Sequence, residues 1–265
     1  MMELIDTHCH LTFEQLVSDI DAVIARSIAA GVNRWITVGT DPDQNQKAIA
    51  LAKKFDNMYA AIGIHPHDAK DVTGQAIRQL HALAQDKKVV AIGETGLDFY
   101  YDHSPRDQQA DVFAKHLQLA GELDLPVIIH SREAFDETMK ILQKTGPDPK
   151  KVVFHCFSGS PEQAKIVLDR GFYISFTGIV TFKNAESIRH AAKLVPLDKL
   201  MLETDCPYMS PEPMRKQRIN EPALMVHTAK FLADLRGMEF DDFAAAATAT
   251  SGHFFNLPGS RQPLK

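Results

Sequence analysis

The sequence predicts an α/β protein of the (β/α)8 TIM-barrel class. Three observations predict it. Short apolar, β-branched runs recur eight times along the 265 residues. Longer segments with helical spacing separate them. Polar residues able to bind metal fall at the C-terminal ends of the runs, and in a barrel those ends converge on one mouth. Strand and helix alternating through one chain call for a parallel sheet with helical crossovers. A doubly wound open sheet is the alternative, weakened because no G-x-G-x-x-G turn follows the first run. A barrel of this length folds as a single domain, so one domain over 1–265 is expected.

The runs are Leu4–Ile5, Arg34–Val38, Met58–Ile64, Val89–Ile92, Pro126–Ile129, Lys151–Phe154, Phe172–Phe176 and Lys199–Leu202. Between the first two, Phe13, Leu16, Val17, Ile20, Val23, Ile24 and Ile28 form one helical stripe over Phe13–Ala30. Phe113, Leu117, Ala120 and Leu123 do the same over Arg106–Leu123. Asp41-Pro42 and Ser160-Pro161 read as helix starts, a capping side chain followed by proline in the first turn. Gly31, Gly146 and Gly171 stand where helices should stop. The proline-rich stretch Cys206–Pro222 is expected as a long loop after the eighth run. Two helices, about Glu221–Arg236 and Phe240–Ala249, are expected to follow.

Composition narrows the function classes. The chain is 45% hydrophobic and 24% charged, with a net charge of −5. That balance lacks the general basic footprint that drives non-specific DNA binding, so any nucleic-acid contact must come from a local patch or from metals. Three cysteines, Cys9, Cys156 and Cys206, argue against a disulfide framework and suit a reducing compartment. No secretory leader pattern and no long apolar span are visible. A cytoplasmic location without membrane contact is therefore expected, with no obligate protein partner inferred.

The run endings carry the chemistry. The first ends in Asp6-Thr7-His8-Cys9-His10, the third in His65-Pro66-His67, and the fourth in Glu94-Thr95-Gly96-Leu97-Asp98. The fifth ends in His130-Ser131-Arg132, the sixth in His155-Cys156-Phe157 and the eighth in Glu203-Thr204-Asp205. Two residues apart on a strand, His8 and His10 share a face and can chelate one ion. The same alternation turns Cys9 away from them, so it reads as a small buried hydrophobe, as do Cys156 and Cys206. Imidazole with carboxylate suits zinc, manganese and similar ions. His65 reads either as a substrate or outer contact at the mouth or as structural, and His67 is equally open. His81, His116, His190, His227 and His253 lie in helical segments and are expected at the surface; Trp35 is expected in the core.

The segments IDTHCHL, GIHPH, GETGLDFYY, VIIHSREA, VFHCFSGS, GFYISFTGIVTF, LMLETDCPYMSP and NEP occur in this order, over nearly the whole chain. Together they resemble the TatD-type metal-dependent deoxyribonucleases of the amidohydrolase superfamily. The resemblance implies a TIM barrel holding two, sometimes three, divalent ions: zinc, manganese or magnesium. It implies that His8 and His10 bind one ion, His130 and His155 the second, that Glu94 bridges them, and that Asp205 is both ligand and general base. It implies hydrolysis of DNA phosphodiester bonds, often as a 3′-to-5′ exonuclease on single strands. Two departures from the family pattern stand out. Met214–Asn220 lacks the glycine of R-G-K-x-N-E-P and is one residue longer, and Thr250 stands where the family often has Asn.

The expected mechanism follows. Two metals about 3.5–4 Å apart lower the pKa of a bound water from about 15.7 towards about 7. That water attacks phosphorus and Asp205 takes its proton. Glu203 shares the Asp205 face if the strand continues, but Asp205 lies further towards the mouth. Arg132 is either a bidentate phosphate clamp or an ion-pair partner of a helix acid. Arg215, with Lys216 and Arg218, either tracks a nucleic-acid backbone or forms a solvated loop. Tyr100 and Tyr101 either stack on a base or, as the favoured reading, pack their own loop. The runner-up function is a small-molecule amidase, lactonase or phosphoester hydrolase on the same scaffold; a non-enzymatic metal-binding scaffold is the third.

Overall fold

The computed structural model describes residues 3–260. Among the described residues there are eight strands: β1 (Leu4–Cys9), β2 (Val32–Val38), β3 (Met58–Ile62), β4 (Val89–Asp98), β5 (Val127–Arg132), β6 (Val152–Phe154), β7 (Tyr173–Phe176) and β8 (Leu200–Leu202). The α-helices are α1 (Glu14–Val17), α2 (Ile20–Ala29), α3 (Pro42–Ala52), α4 (Gly74–Leu83), α5 (Arg106–Leu123), α6 (Phe135–Thr145), α7 (Pro161–Asp169), α8 (Glu186–Leu194), α9 (Met225–Arg236) and α10 (Phe240–Phe254). The sheet runs in the order β1-β2-β3-β4-β5-β6-β7-β8. Neighbouring strands pair in parallel at β1–β2, β3–β4, β4–β5, β5–β6 and β7–β8. This is the strand order of the (β/α)8 class. The chain separates into two compact units, Met1–Thr37 with Cys156–Lys265, and Val38–His155.

In the first unit β1 is buried along its whole length. The chain beyond β8 returns to it: Asp205 N–H donates to the His8 carbonyl at 2.9 Å and His10 N–H to the Cys206 carbonyl at 2.8 Å. Trp35 is in the core as expected, its Nε1–H donating to Ser27 Oγ at 2.9 Å. The single helix expected over Phe13–Ala30 is broken into α1 and α2. Ser18 and Asp19 stand at the break, residues whose short polar side chains compete for backbone hydrogen bonds. The break rotates the stripe: Leu16, Val23 and Ile24 are buried, but Val17 and Ile28 are exposed. Ser160 caps α7 in a reciprocal box with Gln163. α9 is preceded by a 3-10 turn at Pro222–Leu224, and α10 runs past Ala249 to Phe254. Its extension buries Thr250, whose hydroxyl donates to the Leu197 carbonyl at 2.7 Å.

In the second unit Asp41 caps α3 through the Asp43 and Gln44 amides, as expected. α5 has the predicted bounds. β4 runs well beyond the predicted Ile92, because Glu94-Thr95-Gly96-Leu97-Asp98 keeps extended pairing with β5 although it is not an apolar run. Gly96 makes that possible. Its φ is +142°, and a Cβ there would lie 2.0 Å from the His130 carbonyl oxygen. Only glycine lets β4 approach β5 so closely. Gly146 ends α6 in the left-handed conformation.

His116 corrects the expectation that the helical histidines are superficial. His81, His190 and His253 are exposed and His227 partly so, but His116 is fully buried. Its Nδ1–H donates to the Val112 carbonyl at 2.8 Å and its Nε2 accepts the Ile64 N–H at 3.1 Å. Among the described residues no helix is long and apolar enough to cross a membrane.

Candidate metal centre

In the first unit three predicted ligands converge. His8 and His10 leave the end of β1 on one face, and their Nε2 atoms are 3.2 Å apart. Asp205 Oδ1 lies 3.3 Å from His10 Nε2 and 3.7 Å from His8 Nε2. A tetrahedral ion with donors at about 2.1 Å keeps adjacent donors roughly 3.4 Å apart. Two imidazole nitrogens and one carboxylate oxygen at this spacing fit a divalent ion. Cys9 points the other way, as alternation requires, and its thiol donates to the Ile36 carbonyl at 3.3 Å. Cys206 is buried. Cys156 is not the buried hydrophobe expected: it is only partly covered, with Sγ 3.5 Å from both Thr177 Oγ1 and Met209 Sδ.

Glu203 and Asp205 have different partners. Glu203 Oε1 accepts the Cys156 N–H at 2.6 Å and Oε2 accepts the Ser175 hydroxyl at 2.5 Å. Both oxygens are engaged in joining β7 and β8 to the turn after β6. β8 ends at Leu202, and Asp205, at φ 53°, turns towards the two histidines. Asp6 braces this arrangement from below. Its carboxylate accepts the Thr204 N–H at 2.9 Å, the Thr204 hydroxyl at 2.6 Å and the His8 N–H at 3.3 Å. Burial outweighs these hydrogen bonds and pushes Asp6 up to about 7.

In the second unit the donors gather around Glu94. Its Oε1 is 2.7 Å from His155 Nε2, 2.7 Å from His130 Nδ1 and 3.5 Å from His65 Nε2. His155 Nε2 and His130 Nδ1 are 3.4 Å apart. His65, Glu94 and His130 form a set able to hold a metal. His65 thus stands among the ligand-type atoms. Burial pulls its pKa down to about 4 against the pull of Glu94, which keeps the imidazole neutral and able to donate a lone pair.

Two residues left unassigned in the sequence take part here. Asp98 Oδ2 accepts from His67 Nε2 at 2.8 Å and from His130 Nε2 at 3.3 Å. A proton on His130 Nε2 leaves Nδ1, the atom that faces Glu94, with its lone pair for a metal. Burial raises the Asp98 pKa, but the hydrogen bonds from His130, His67 and the Tyr101 amide outweigh it and hold the group well below the usual range. The opposite balance raises His130: burial lowers it, and Asp98 and Glu94 more than compensate. The signal for Asp98 was its place on β4, three alternations beyond the predicted strand end and four residues after Glu94.

Asp98 Oδ1 also accepts the Tyr100 and Tyr101 amides, each at 3.0 Å, and so shapes the turn that carries both rings. Tyr100 and Tyr101 are 54% and 49% exposed, yet they pack within their own loop: their centroids are 4.9 Å apart, and Tyr101 lies parallel to His103 at 5.6 Å. Arg132 lies over both, its guanidinium carbon 4.3 Å from the Tyr100 centroid and 4.7 Å from that of Tyr101. Among the described residues Arg132 makes no ion pair with a helix acid. Arg215 lies over the Phe182 ring at 3.9 Å. Its neighbours Lys216 and Arg218 are exposed in the same loop.

The model of the TatD related DNase family matches residues 5–256. The chain belongs to this family. It is 41% identical to the uncharacterized metal-dependent hydrolase YabD of Bacillus subtilis, over 96% of this chain and 99% of that protein. It is 37% identical to the 3′-5′ ssDNA/RNA exonuclease TatD of Erwinia tasmaniensis, over 96% of this chain and all of that one. The crystal structure of the TatD homologue YjjV from Escherichia coli superposes with a TM-score of 0.91 at 33% identity, covering 96% and 98% of the two chains. The protein is therefore a TatD-like metal-dependent hydrolase with the (β/α)8 barrel fold.

Proposed function

We propose that this TatD-family hydrolase is a deoxyribonuclease that removes nucleotides from the 3′ ends of single-stranded DNA. One observation carries the reading. Arg132, two residues beyond the candidate ligand His130, lies over Tyr100 and Tyr101 and, among the described residues, is in no ion pair. A guanidinium held over aromatic rings by cation–π attraction can still offer N–H donors to an oxyanion, and phosphate, like carboxylate, is an anion it can grip bidentately. The whole-length similarity to the Erwinia exonuclease points the same way.

His8 and His10 would hold one divalent ion and His130 and His155 a second, each zinc, manganese or magnesium, with Glu94 and Asp205 as further carboxylate ligands. When bound, the ions would activate water and neutralise the phosphate's charge. The chain's own groups do the rest. Asp205, set by the His8 carbonyl and the braced Thr204, accepts the nucleophile's proton. Asp98 keeps His130 in the tautomer that presents Nδ1. Arg132 holds a non-bridging phosphate oxygen, His65 lines the centre beside Glu94, and Arg215 follows the strand's backbone. The chain works as one domain over its whole length.

The test is direct. End-labelled single-stranded DNA is incubated with the purified protein and manganese, magnesium or zinc, with chelator as control. Metal-dependent shortening from the 3′ end is expected. No shortening in any metal, together with turnover of small esters or lactones, would replace this reading with the small-molecule hydrolase.

A further inference from the structure

A nuclease acting on single strands needs a surface for the base as well as a centre for the phosphate. The exposed pair Tyr100 and Tyr101 is already engaged. Arg132 covers both rings, and Tyr101 lies parallel to His103 at 5.6 Å with 5° between planes. The first unit holds a second aromatic series that begins at the ligands themselves. Phe13 lies parallel to the His10 imidazole, centroids 4.7 Å apart and planes 14° apart. Tyr208 meets Phe13 edge to face at 6.4 Å and 77°. Its side chain is half-exposed, 50%, while its backbone is pinned on both sides. Tyr208 N–H donates to the Asp205 carbonyl at 3.1 Å. The Asn220 amide donates to the Tyr208 carbonyl at 2.6 Å and to the Thr204 carbonyl at 3.1 Å. Arg26 holds Glu221, the residue after Asn220, through contacts of 2.7, 2.9 and 3.1 Å.

A half-exposed aromatic ring on a backbone fixed from both sides, two ring contacts from the candidate ligand His10, is placed for stacking. Fixing that backbone in folding lowers the ordering cost of binding. Ile219, exposed in the same loop, adds apolar surface, and the basic residues Arg215, Lys216 and Arg218 follow along it. We propose that Phe13 and Tyr208 form a base-stacking face for the nucleotide next to the scissile phosphate, so that the site selects a strand with an unpaired base over a bare phosphodiester. Stacking on a ring face tolerates any base, so little sequence preference is expected. This inference rests on the nuclease reading above.

The experiment compares a labelled single strand with the same strand carrying an abasic residue at the scissile nucleotide. For the wild-type protein the abasic strand should show a KM about tenfold higher, the effect of one lost base–aromatic stack. Tyr208→Ala should raise KM for the normal strand by about the same factor and leave little base-to-abasic difference. Tyr208→Leu, which keeps bulk without a ring, should behave like Tyr208→Ala, and Tyr208→Trp should restore the difference. Equal KM values for the two strands in the wild type, or an undiminished difference in both Tyr208→Ala and Tyr208→Leu, would overturn the stacking face alone. Cleavage of neither strand by the wild type would overturn the nuclease reading, and the stacking face with it.

Discussion

Replacing His116 by glutamine should remove an acid-sensitive component of stability. The buried imidazole accepts the Ile64 N–H and donates to the Val112 carbonyl, an arrangement only the neutral ring can make. Protonation would set an N–H against an N–H inside the core and bring a charge out of water. Burial accordingly lowers the pKa from 6.5 to about 4. The sign follows from proton counting. Between those values the unfolded chain binds a proton that the folded chain refuses, so stability falls as the pH falls. The contribution is intact above about 6.5 and is lost progressively down to about 4, where it amounts to about 3 kcal/mol. Urea unfolding of both proteins at several pH values from 7.5 to 4.5, on the order of three to five points, gives the slopes. Groups common to both cancel in the difference. The wild type should lose stability more steeply, by up to about 1.4 kcal/mol per pH unit in the window. Parallel slopes, or an imidazole NMR titration near the ordinary value, would refute the reasoning.

Three further outcomes are expected. Asp205→Asn should fold normally but lose more than about nine-tenths of metal-dependent turnover, since the amide cannot accept a proton; steady-state rates on the best substrate measure it. Gly96→Ala should destabilise the protein by several kcal/mol, on the order of 3 or more, because the methyl group meets the His130 carbonyl and the φ of +142° is closed to alanine; a thermal melt showing no loss would contradict the close β4–β5 approach. Arg132→Lys should raise KM for a phosphodiester by roughly tenfold with a smaller effect on kcat, because an ammonium neither stacks on Tyr100 and Tyr101 nor bonds in a bidentate fork; an unchanged KM would remove Arg132 from the substrate contacts.

Much of the site was legible because strand chemistry is local. Alternation alone puts His8 and His10 on one face and Cys9 on the other, and the structure shows this. Apolar runs ending in ligand-type residues located Glu94, His130, His155 and Asp205. The same method stopped β4 at Ile92, because hydrophobicity ends there while hydrogen-bonded pairing does not. Asp98 therefore lay beyond the visible strand, and its service to His130 was hidden. Position along the strand favoured Asp205 over Glu203; what it could not show is that the Glu203 oxygens accept from the Cys156 amide and the Ser175 hydroxyl.

By itself the sequence determined the order of strands and helices, the caps at Asp41 and Ser160, and the kinds of atoms available for metal. These follow from short-range periodicity and from backbone donors that each need a partner nearby. Tertiary structure decided what each polar group does once buried. His116 became a core residue by accepting one backbone N–H, and Glu203 became a brace when both its oxygens were taken. Asp205 turned to the histidines while Tyr208 stayed half in water. A side chain's role depends on which donors and charges lie within a few ångströms, and those neighbours come from distant parts of the chain.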